Sequence, residues 1–197
     1  MTIPLILASA SNERLRLLKT LYITPDQIIS TDLDETPLKK EQAKDLAIRL
    51  AIKKAEAAAL SLEQGYILAA DTVVAVGRRI LPKALTDEDV KYCLDLISGL
   101  RHRVYTGLCL IKKSSDKVEI RTKLCCTIVK FKRLSKIDID FYLKCQQGIG
   151  KAGGYGVFGV AESFIEKMMG TPSNIAGLPL LEVRHMLLSM GFDKFNN

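Results

Sequence analysis

One acidic residue interrupts an otherwise apolar segment of the chain. Asp71 lies within the run 66–76, which has the apolar character of a buried strand. An ionised carboxylate buried there without a partner costs several kcal/mol, so Asp71 needs a cation, hydrogen-bond donors or a metal ion. Two interpretations stay open: an acid that caps the backbone of a turn, and a functional carboxylate in a cleft.

A second acidic group lies in the segment 30–38, whose composition is typical of a loop. Asp34 and Glu35 are adjacent there, and the ordinary interpretation of such a pair is a solvated acidic turn. If Glu35 and Asp71 converge in the folded chain, they could hold one divalent cation. Mg²⁺ is bound by one or two carboxylates together with water and substrate phosphates.

Basic residues occur in short clusters, each of which is more often solvated surface than a binding site. The clusters are Lys53-Lys54, Arg78-Arg79 and the segment 101–103. Lys83 differs because it follows a proline, whose ring restricts the backbone and so fixes where the lysine lies. His102 and His185 are interpreted as polar residues without a catalytic role, although His102 could act as a general base.

A glycine-rich segment, 151–159, contains four glycines. Glycine lets backbone amides approach a phosphate closely, whereas the alternative is a plain loop. The segment matches neither the dinucleotide-binding nor the Walker pattern.

Strands and helices alternate around these residues. Apolar runs predict strands over 4–8 and 66–76, and 104–112 with 118–131 predicts an antiparallel hairpin. Apolar residues three and four positions apart predict helices that start at Ser11 or Asn12 and at Thr86, and that cover 43–62, 135–145 and 180–190. The predicted fold is α/β: an elongated mixed β-sheet with flanking helices, in a single domain over residues 1–197.

The composition excludes several classes of protein. The 197 residues are 48% hydrophobic and 26% charged, which is globular rather than disordered. No apolar run approaches the length of a membrane span, and the apolar N-terminus is interpreted as a first strand rather than a leader peptide. Five cysteines without a C-x-x-C pattern argue against disulfides and structural zinc, and for a cytoplasmic protein.

The net charge of +7 indicates an anionic partner, which could be nucleic acid, an acidic membrane surface or a phosphorylated small molecule. A nucleic-acid-binding module is the weaker interpretation, because the chain has no tryptophan and its basic runs are not interleaved with aromatic residues.

Taken together, the segments resemble the Maf family of nucleoside triphosphate pyrophosphatases over 5–191. The segment 7–14 reads L-A-S-A-S-N-E-R, against L-A-S-x-S-P-R-R in the family. The order and spacing of the other matching segments are similar: 34–36 (D-E-T), 49–51 (R-L-A), 54–55 (K-A), 70–74 (A-D-T-V-V), Lys83, 96–107 (L-I-S-G-L-R-H-R-V-Y-T-G), 151–156 (K-A-G-G-Y-G), Asn174 and 177–180 (G-L-P-L).

The resemblance implies two lobes around a cleft, as in Maf and ITPase-like folds, and often a homodimer. It also implies metal-assisted attack of water on the α-phosphate of a nucleoside triphosphate, non-canonical or pyrimidine, with release of diphosphate. Asp71 would be the base and Glu35 with Asp71 would hold Mg²⁺ or Mn²⁺. The residues implied at the substrate are Ser9, Ser11, Arg14, Lys54, Thr72, Lys83, Lys151 and Phe158.

Two departures concern selectivity. The chain resembles the branch that prefers dTTP and UTP, but Glu13 replaces an arginine and Phe158 replaces a glutamine. Phe158 could stack on a base but lacks the donor and acceptor of an amide, and Glu13 would repel phosphate if it points inward. We therefore expect altered base selectivity. The alternative is a catalytically reduced relative that acts through binding in cell-division arrest.

Overall fold

A computed structural model of the protein describes residues 3–195, so both ends of the predicted 1–197 domain, and the first two residues of the N-terminal segment, lie outside the described part. Within this part of the chain, seven strands form one sheet in the order β2-β1-β3-β5-β6-β7, with β4 paired to β3. The pairs of β1 with β2 and with β3 are parallel and the others antiparallel, which confirms the predicted mixed sheet. The strands are β1 (Leu5–Leu7), β2 (Gln27–Ile28), β3 (Gly65–Val76), β4 (Arg79–Ile80), β5 (Arg101–Lys113), β6 (Val118–Phe131) and β7 (Ile165–Met169).

Among the described residues, six α-helices and one short 3-10 helix (Val160–Phe164) flank the sheet. They are α1 (Asn12–Lys19), α2 (Ala43–Ala59), α3 (Asp87–Ile97), α4 (Lys136–Lys144), α5 (Pro172–Ile175) and α6 (Leu180–Ser189). The predicted starts are confirmed: the side chains of Ser11 and Thr86 each accept a hydrogen bond from a backbone N–H of the first turn. None of the helices described between residues 3 and 195 has the length and apolarity required to cross a membrane.

Several predicted boundaries are wrong. The helix predicted over 43–62 ends at Ala59, and the sequence patterns predict neither β7 nor α5. β7 escaped prediction because it carries Glu166 and Lys167 and leaves both faces partly exposed, so it lacks a clear alternation of apolar and polar residues.

The central strand β3 has an edge that is open in its middle. β1 pairs with it only as far as Leu68, and β4 begins to pair with it at Ala75. Among the described strands, none pairs with the stretch between these points on that side, and this stretch contains Asp71 and Thr72. Asp71 therefore lies in mid-strand, and the interpretation as a turn-capping acid is wrong.

The hydrophobic cores also separate at this stretch. On one face of β3, one core includes Leu68 and Ala70 and another includes Val74, and Thr72 lies between them. On the other face, where α2 packs on the sheet, Ala69 and Val73 belong to different cores, with Asp71 between them. The sheet is thus continuous while its packing is divided into two lobes, and the predicted cleft lies where they meet.

Close packing of α2 on the sheet depends on a glycine. Gly107 is the β5 residue paired with Asp71, and a Cβ atom at Gly107 would overlap the carbonyl group of Ala47. The missing side chain lets α2 approach β5 and β3, and the residue two turns along α2 from Ala47 is Lys54.

Candidate active site

Asp71 lies beside a buried lysine. Its side chain comes from the middle of β3 and is almost fully buried, as is that of Lys54 from α2. Lys54 Nζ donates to Asp71 Oδ1 at 2.5 Å and also lies 2.5 Å from Glu35 Oε1. The structure therefore brings Glu35 and Asp71 together, with one ammonium group between the two carboxylates.

The surroundings of Asp71 have opposing effects on its pKa. Burial raises the pKa above its ordinary value, because removal of water disfavours the charged form. The positive charges of Lys54 and Arg14 oppose that rise. The result is a carboxyl group with a higher proton affinity than an exposed aspartate, held among cations.

The Arg14 guanidinium connects three segments of the chain. Its Nε donates to the Gly177 carbonyl oxygen at 2.9 Å, Nη1 donates to Ser9 Oγ at 3.1 Å and Nη2 donates to Thr72 Oγ1 at 3.4 Å. Burial lowers the pKa of Arg14, whereas the charges of Asp71 and Glu35 raise it. An arginine stays protonated in proteins, so Arg14 is a fixed positive charge beside Asp71.

These residues line a cavity of about 990 Å³ in the cleft between the two lobes. Nine of the ten predicted site residues are on its wall: Ser11, Arg14, Glu35, Lys54, Asp71, Thr72, Lys83, Lys151 and Phe158. The tenth, Ser9, is buried behind the wall and accepts a hydrogen bond from Arg14.

Lys83 and Lys151 enter the cavity wall on two segments that pair with each other. Lys83 forms an antiparallel bridge with Ala152, the Ala84 amide donates to the Lys151 carbonyl oxygen at 3.0 Å, and the Gly150 amide donates to the Ala84 carbonyl oxygen at 2.7 Å. The two lysines are therefore carried by one hydrogen-bonded unit of the wall.

The chain is similar to proteins of a known family. The family model described as "Maf-like protein" matches residues 4–190 of the chain. The protein belongs to the Maf family. A nucleoside triphosphate pyrophosphatase from Orientia tsutsugamushi (strain Boryong) is 53% identical over 96% of this chain and 93% of its own length.

The chain is also similar to a second relative and to a solved structure. A nucleoside triphosphate pyrophosphatase from Rickettsia felis (strain ATCC VR-1525 / URRWXCal2) is 53% identical over 98% of this chain and 96% of that relative. Among solved structures, a HAM1 protein from Coxiella burnetii is 15% identical with a TM-score of 0.49, over 96% of this chain and all of that one.

Two glycines of the Maf segment 151–156, Gly153 and Gly154, serve the packing of the fold. The amides of Gly153 and Gly154 donate to the carbonyl oxygens of Pro82 and Lys151, so neither is available to a phosphate in this structure. Both residues have positive φ, and a Cβ atom at Gly154 would lie 2.8 Å from Cβ of Cys93 on α3. The phosphate-approach interpretation is therefore wrong for these two glycines.

Glu13 lies on the cavity wall and is paired with an arginine. Its carboxylate accepts from Nη2 of Arg16 at 2.6 Å, and the Arg16 guanidinium carbon lies 4.8 Å from the centre of the Phe158 ring. Sequence reasoning missed Arg16, although the spacing of three residues from Glu13 on a helix is a signal for such a pair.

His102 is fully buried outside the residues that line the cavity. Its Nε2 lies 2.8 Å from the hydroxyl group of Tyr155, and burial lowers the pKa of His102 to about 4. Tyr155 does line the cavity, so His102 supports the wall from behind. His185 lies on α6, away from the cavity wall.

Sequence reasoning also missed two residues that support the site. Thr106 on β5 lies 3.0 Å from Thr72 Oγ1 and donates to the Asn174 carbonyl oxygen. Arg49 on α2 donates to both carboxylate oxygens of Glu41 and to the Thr36 carbonyl oxygen, which fixes the loop that carries Glu35. Arg49 lies in a matching Maf segment, but its residue type alone does not indicate this role.

Proposed function

We propose that the protein hydrolyses a nucleoside triphosphate to the nucleoside monophosphate and diphosphate. The observation that carries the proposal is the buried Asp71 carboxylate in a cavity whose wall also carries Arg14, Lys54, Lys83 and Lys151. The names of the 53%-identical Maf relatives from Orientia and Rickettsia support the same reaction.

Asp71 serves as the general base in this proposal. The water oxygen forms a bond to the α-phosphorus, the bond from that phosphorus to the α,β-bridging oxygen breaks, and diphosphate leaves with its electron pair. Asp71 takes the proton of the water. The pKa of Asp71 is raised by burial, which makes this carboxylate a stronger base than an exposed one.

The cations of the cavity bind and stabilise the triphosphate. Negative charge grows on the non-bridging oxygens and on the leaving diphosphate as the reaction proceeds. Arg14 is held by three hydrogen bonds and therefore presents its charge in a fixed position. Lys83 and Lys151 present theirs from the paired segments on the wall. Ser11 and Thr72 contribute hydroxyl groups to the same wall.

The donor set fits one divalent cation shared with the substrate. Glu35 and Asp71 converge on a single point, now taken by the Lys54 ammonium. Between residues 3 and 195 the structure contains no group of three His, Cys, Asp or Glu side chains placed to hold a metal by themselves. Two carboxylates completed by phosphate oxygens and water are a normal set for Mg²⁺. When bound, such a cation stabilises negative charge on the phosphates.

Phe158 supports a relaxed choice of base. Its ring lies on the cavity wall and is half-exposed, so it offers a face for stacking. A phenylalanine has no hydrogen-bonding group, so it does not read the edge of a base. We propose a substrate range that includes non-canonical and pyrimidine triphosphates, without an exclusive preference for dTTP and UTP.

A panel of triphosphates tests these assignments. Diphosphate release is measured with Mg²⁺ and with Mn²⁺ for the wild type, for Asp71→Asn and for Asp140→Asn, a matched change at an exposed aspartate paired with Lys136. We expect activity in the wild type and in Asp140→Asn and a loss of at least about 10²-fold in Asp71→Asn, the size of a lost general base.

Three results would contradict parts of the proposal. Near-wild-type turnover in Asp71→Asn would remove Asp71 from the chemistry. A wild type without turnover on any triphosphate would favour the alternative of a catalytically reduced Maf protein that acts by binding. Exclusive hydrolysis of dTTP and UTP would contradict the proposed range of bases.

A further inference from the structure

The cavity wall carries one carboxylate that the proposed reaction does not use. Glu13, in the first turn of α1, lies directly before Arg14 and lines the same cavity as the four cations assigned to the triphosphate. An uncompensated carboxylate at this place would repel a triphosphate, because charges a few ångströms apart interact strongly in a partly desolvated site. The Glu13 side chain is 26% exposed, so water screens it only in part.

Arg16 compensates this carboxylate. Its Nη2 lies 2.6 Å from Glu13 Oε1, and its Nε lies 3.2 Å and 3.3 Å from the two carboxylate oxygens. The pair is charge-assisted and involves both nitrogens, which gives it a defined geometry. Glu13 is therefore held as one half of a neutral pair at the edge of the cavity.

Arg16 also contacts the opposite side of the cleft. Its guanidinium carbon lies 4.8 Å from the ring centre of Phe158, within the range of a cation–π contact. Phe158 lies in the glycine-rich segment 151–159, far from α1 in sequence. The series Glu13–Arg16–Phe158 therefore connects α1 with the segment that carries Lys151 and forms part of the boundary of the cavity.

The exposure of Arg16 argues against a role in stability alone. The side chain is 53% exposed, and exposed ion pairs of neighbouring helix residues contribute little to folding. Both partners of Arg16, in contrast, line the cavity. The series Glu13–Arg16–Phe158 therefore determines the charge and the shape of the cavity where a ligand binds.

We propose that Arg16 is a positioning residue for nucleotide binding, which neutralises Glu13 against the triphosphate and holds the Phe158 ring where a nucleobase can stack on it. The proposal rests on the proposed function, since it assumes that a nucleoside triphosphate is the ligand of the cavity. Arg16 acts on the ligand through Glu13 and Phe158 and takes no part in the attack on the phosphorus.

Binding of non-hydrolysable triphosphates tests the proposal independently of turnover. The probes are the analogues of ATP and UTP in which a methylene group replaces the α,β-bridging oxygen, and the dissociation constant is measured with Mg²⁺. The variants are Arg16→Ala, Glu13→Gln and the double variant, with Arg184→Ala as a matched control. Arg184 is an exposed arginine over the ring of Phe195, outside the cavity wall.

Rescue by the second substitution is the decisive result. We expect Arg16→Ala to weaken binding about tenfold, because Glu13 then faces the phosphates alone. The double variant has no carboxylate to repel the phosphates and lacks only the Phe158 contact, so we expect it to bind about twofold more weakly than the wild type, and severalfold more tightly than Arg16→Ala. Glu13→Gln alone should bind more tightly than the wild type. In turnover, Arg16→Ala should raise KM and leave kcat nearly unchanged.

Other outcomes overturn the proposal. Wild-type affinity in Arg16→Ala would mean that Glu13 needs no compensation, and equal affinities in Arg16→Ala and the double variant would mean that Arg16 does not act through Glu13. A wild type that binds neither analogue would also overturn it. A wild type that binds the analogues but releases no diphosphate from any triphosphate would instead contradict the proposed function alone.

Discussion

Both the stability of the fold and the proposed chemistry depend on the side chain of Lys54. Replacement of Lys54 by methionine removes the ammonium group that lies 2.5 Å from a carboxylate oxygen of Asp71 and from one of Glu35. Removal of one partner from a buried ion pair costs about 3–5 kcal/mol. Because Glu35 is half-exposed and is solvated once released, we expect the lower end, about 3 kcal/mol at pH 8.

The loss of stability in Lys54→Met should depend on pH, because Asp71 titrates. Burial raises the pKa of Asp71, and Lys54 is the largest of the charges that oppose this rise, so Lys54→Met raises the pKa further. A carboxyl group whose pKa is higher in the folded than in the unfolded state stabilises the folded protein in acid. This stabilisation is lost as the pH rises through the folded pKa. The deficit of the variant is therefore smallest in acid and grows with pH.

Urea denaturation of both proteins between pH 5 and pH 9 measures this dependence. The matched control is Lys91→Met, which breaks a pair with Asp95 in which both side chains are about half-exposed. We expect the control to lose less than about 1 kcal/mol at every pH. A deficit of Lys54→Met that is constant with pH, or that grows toward acid, would refute the coupling of Lys54 to a buried Asp71 with a raised pKa.

Three further predictions concern the same site. The value of kcat/KM should rise with pH through the raised pKa of Asp71, with a midpoint above that of an exposed aspartate; a pH profile that is already flat in acid would contradict this. Gly107→Ala should cost about 1–3 kcal/mol in a thermal or urea melt and lower kcat, because the new methyl group displaces α2 at Ala47; a melt unchanged from wild type would contradict the close packing. Arg49→Ala should raise the Mg²⁺ concentration needed for half-maximal diphosphate release, because the loop that carries Glu35 loses its anchor; an unchanged Mg²⁺ dependence would contradict this.

Much of the fold could be predicted from sequence because its signals are local. The second strand of the long hairpin, β6, alternates apolar and polar residues over much of its length, and the helices α1 and α3 begin at residues with capping side chains. β7 is short and partly exposed, and its position depends on pairing with β6 rather than on its own pattern. α5 has a local start signal in Thr171 and Pro172, but its four residues are too few to show an apolar period. Such elements are determined by tertiary contacts that a local pattern does not contain.

The site, like the fold, could be predicted from sequence only in part. A charge inside an apolar run predicted that Asp71 needs a partner, but the run does not say which cation supplies it or that the strand has an open edge at that point. The resemblance supplied the set of residues that the cleft brings together. It did not supply Arg16, because the two residues that Arg16 joins, Glu13 and Phe158, depart from the family pattern and are brought together only in the folded chain.

The charged side chains on the cavity wall nearly balance one another. The whole chain carries +7, yet among residues 3–195 the wall contains four cationic side chains and three carboxylates, so most of the excess positive charge lies elsewhere. Glu13 is already compensated by Arg16, and Glu35 and Asp71 share Lys54. A triphosphate carries several negative charges, which this nearly balanced wall does not neutralise alone. The two carboxylates around Lys54 are therefore most useful if they bring a divalent cation in with the substrate, since that cation and not the net charge of the chain would supply the missing positive charge next to the phosphates.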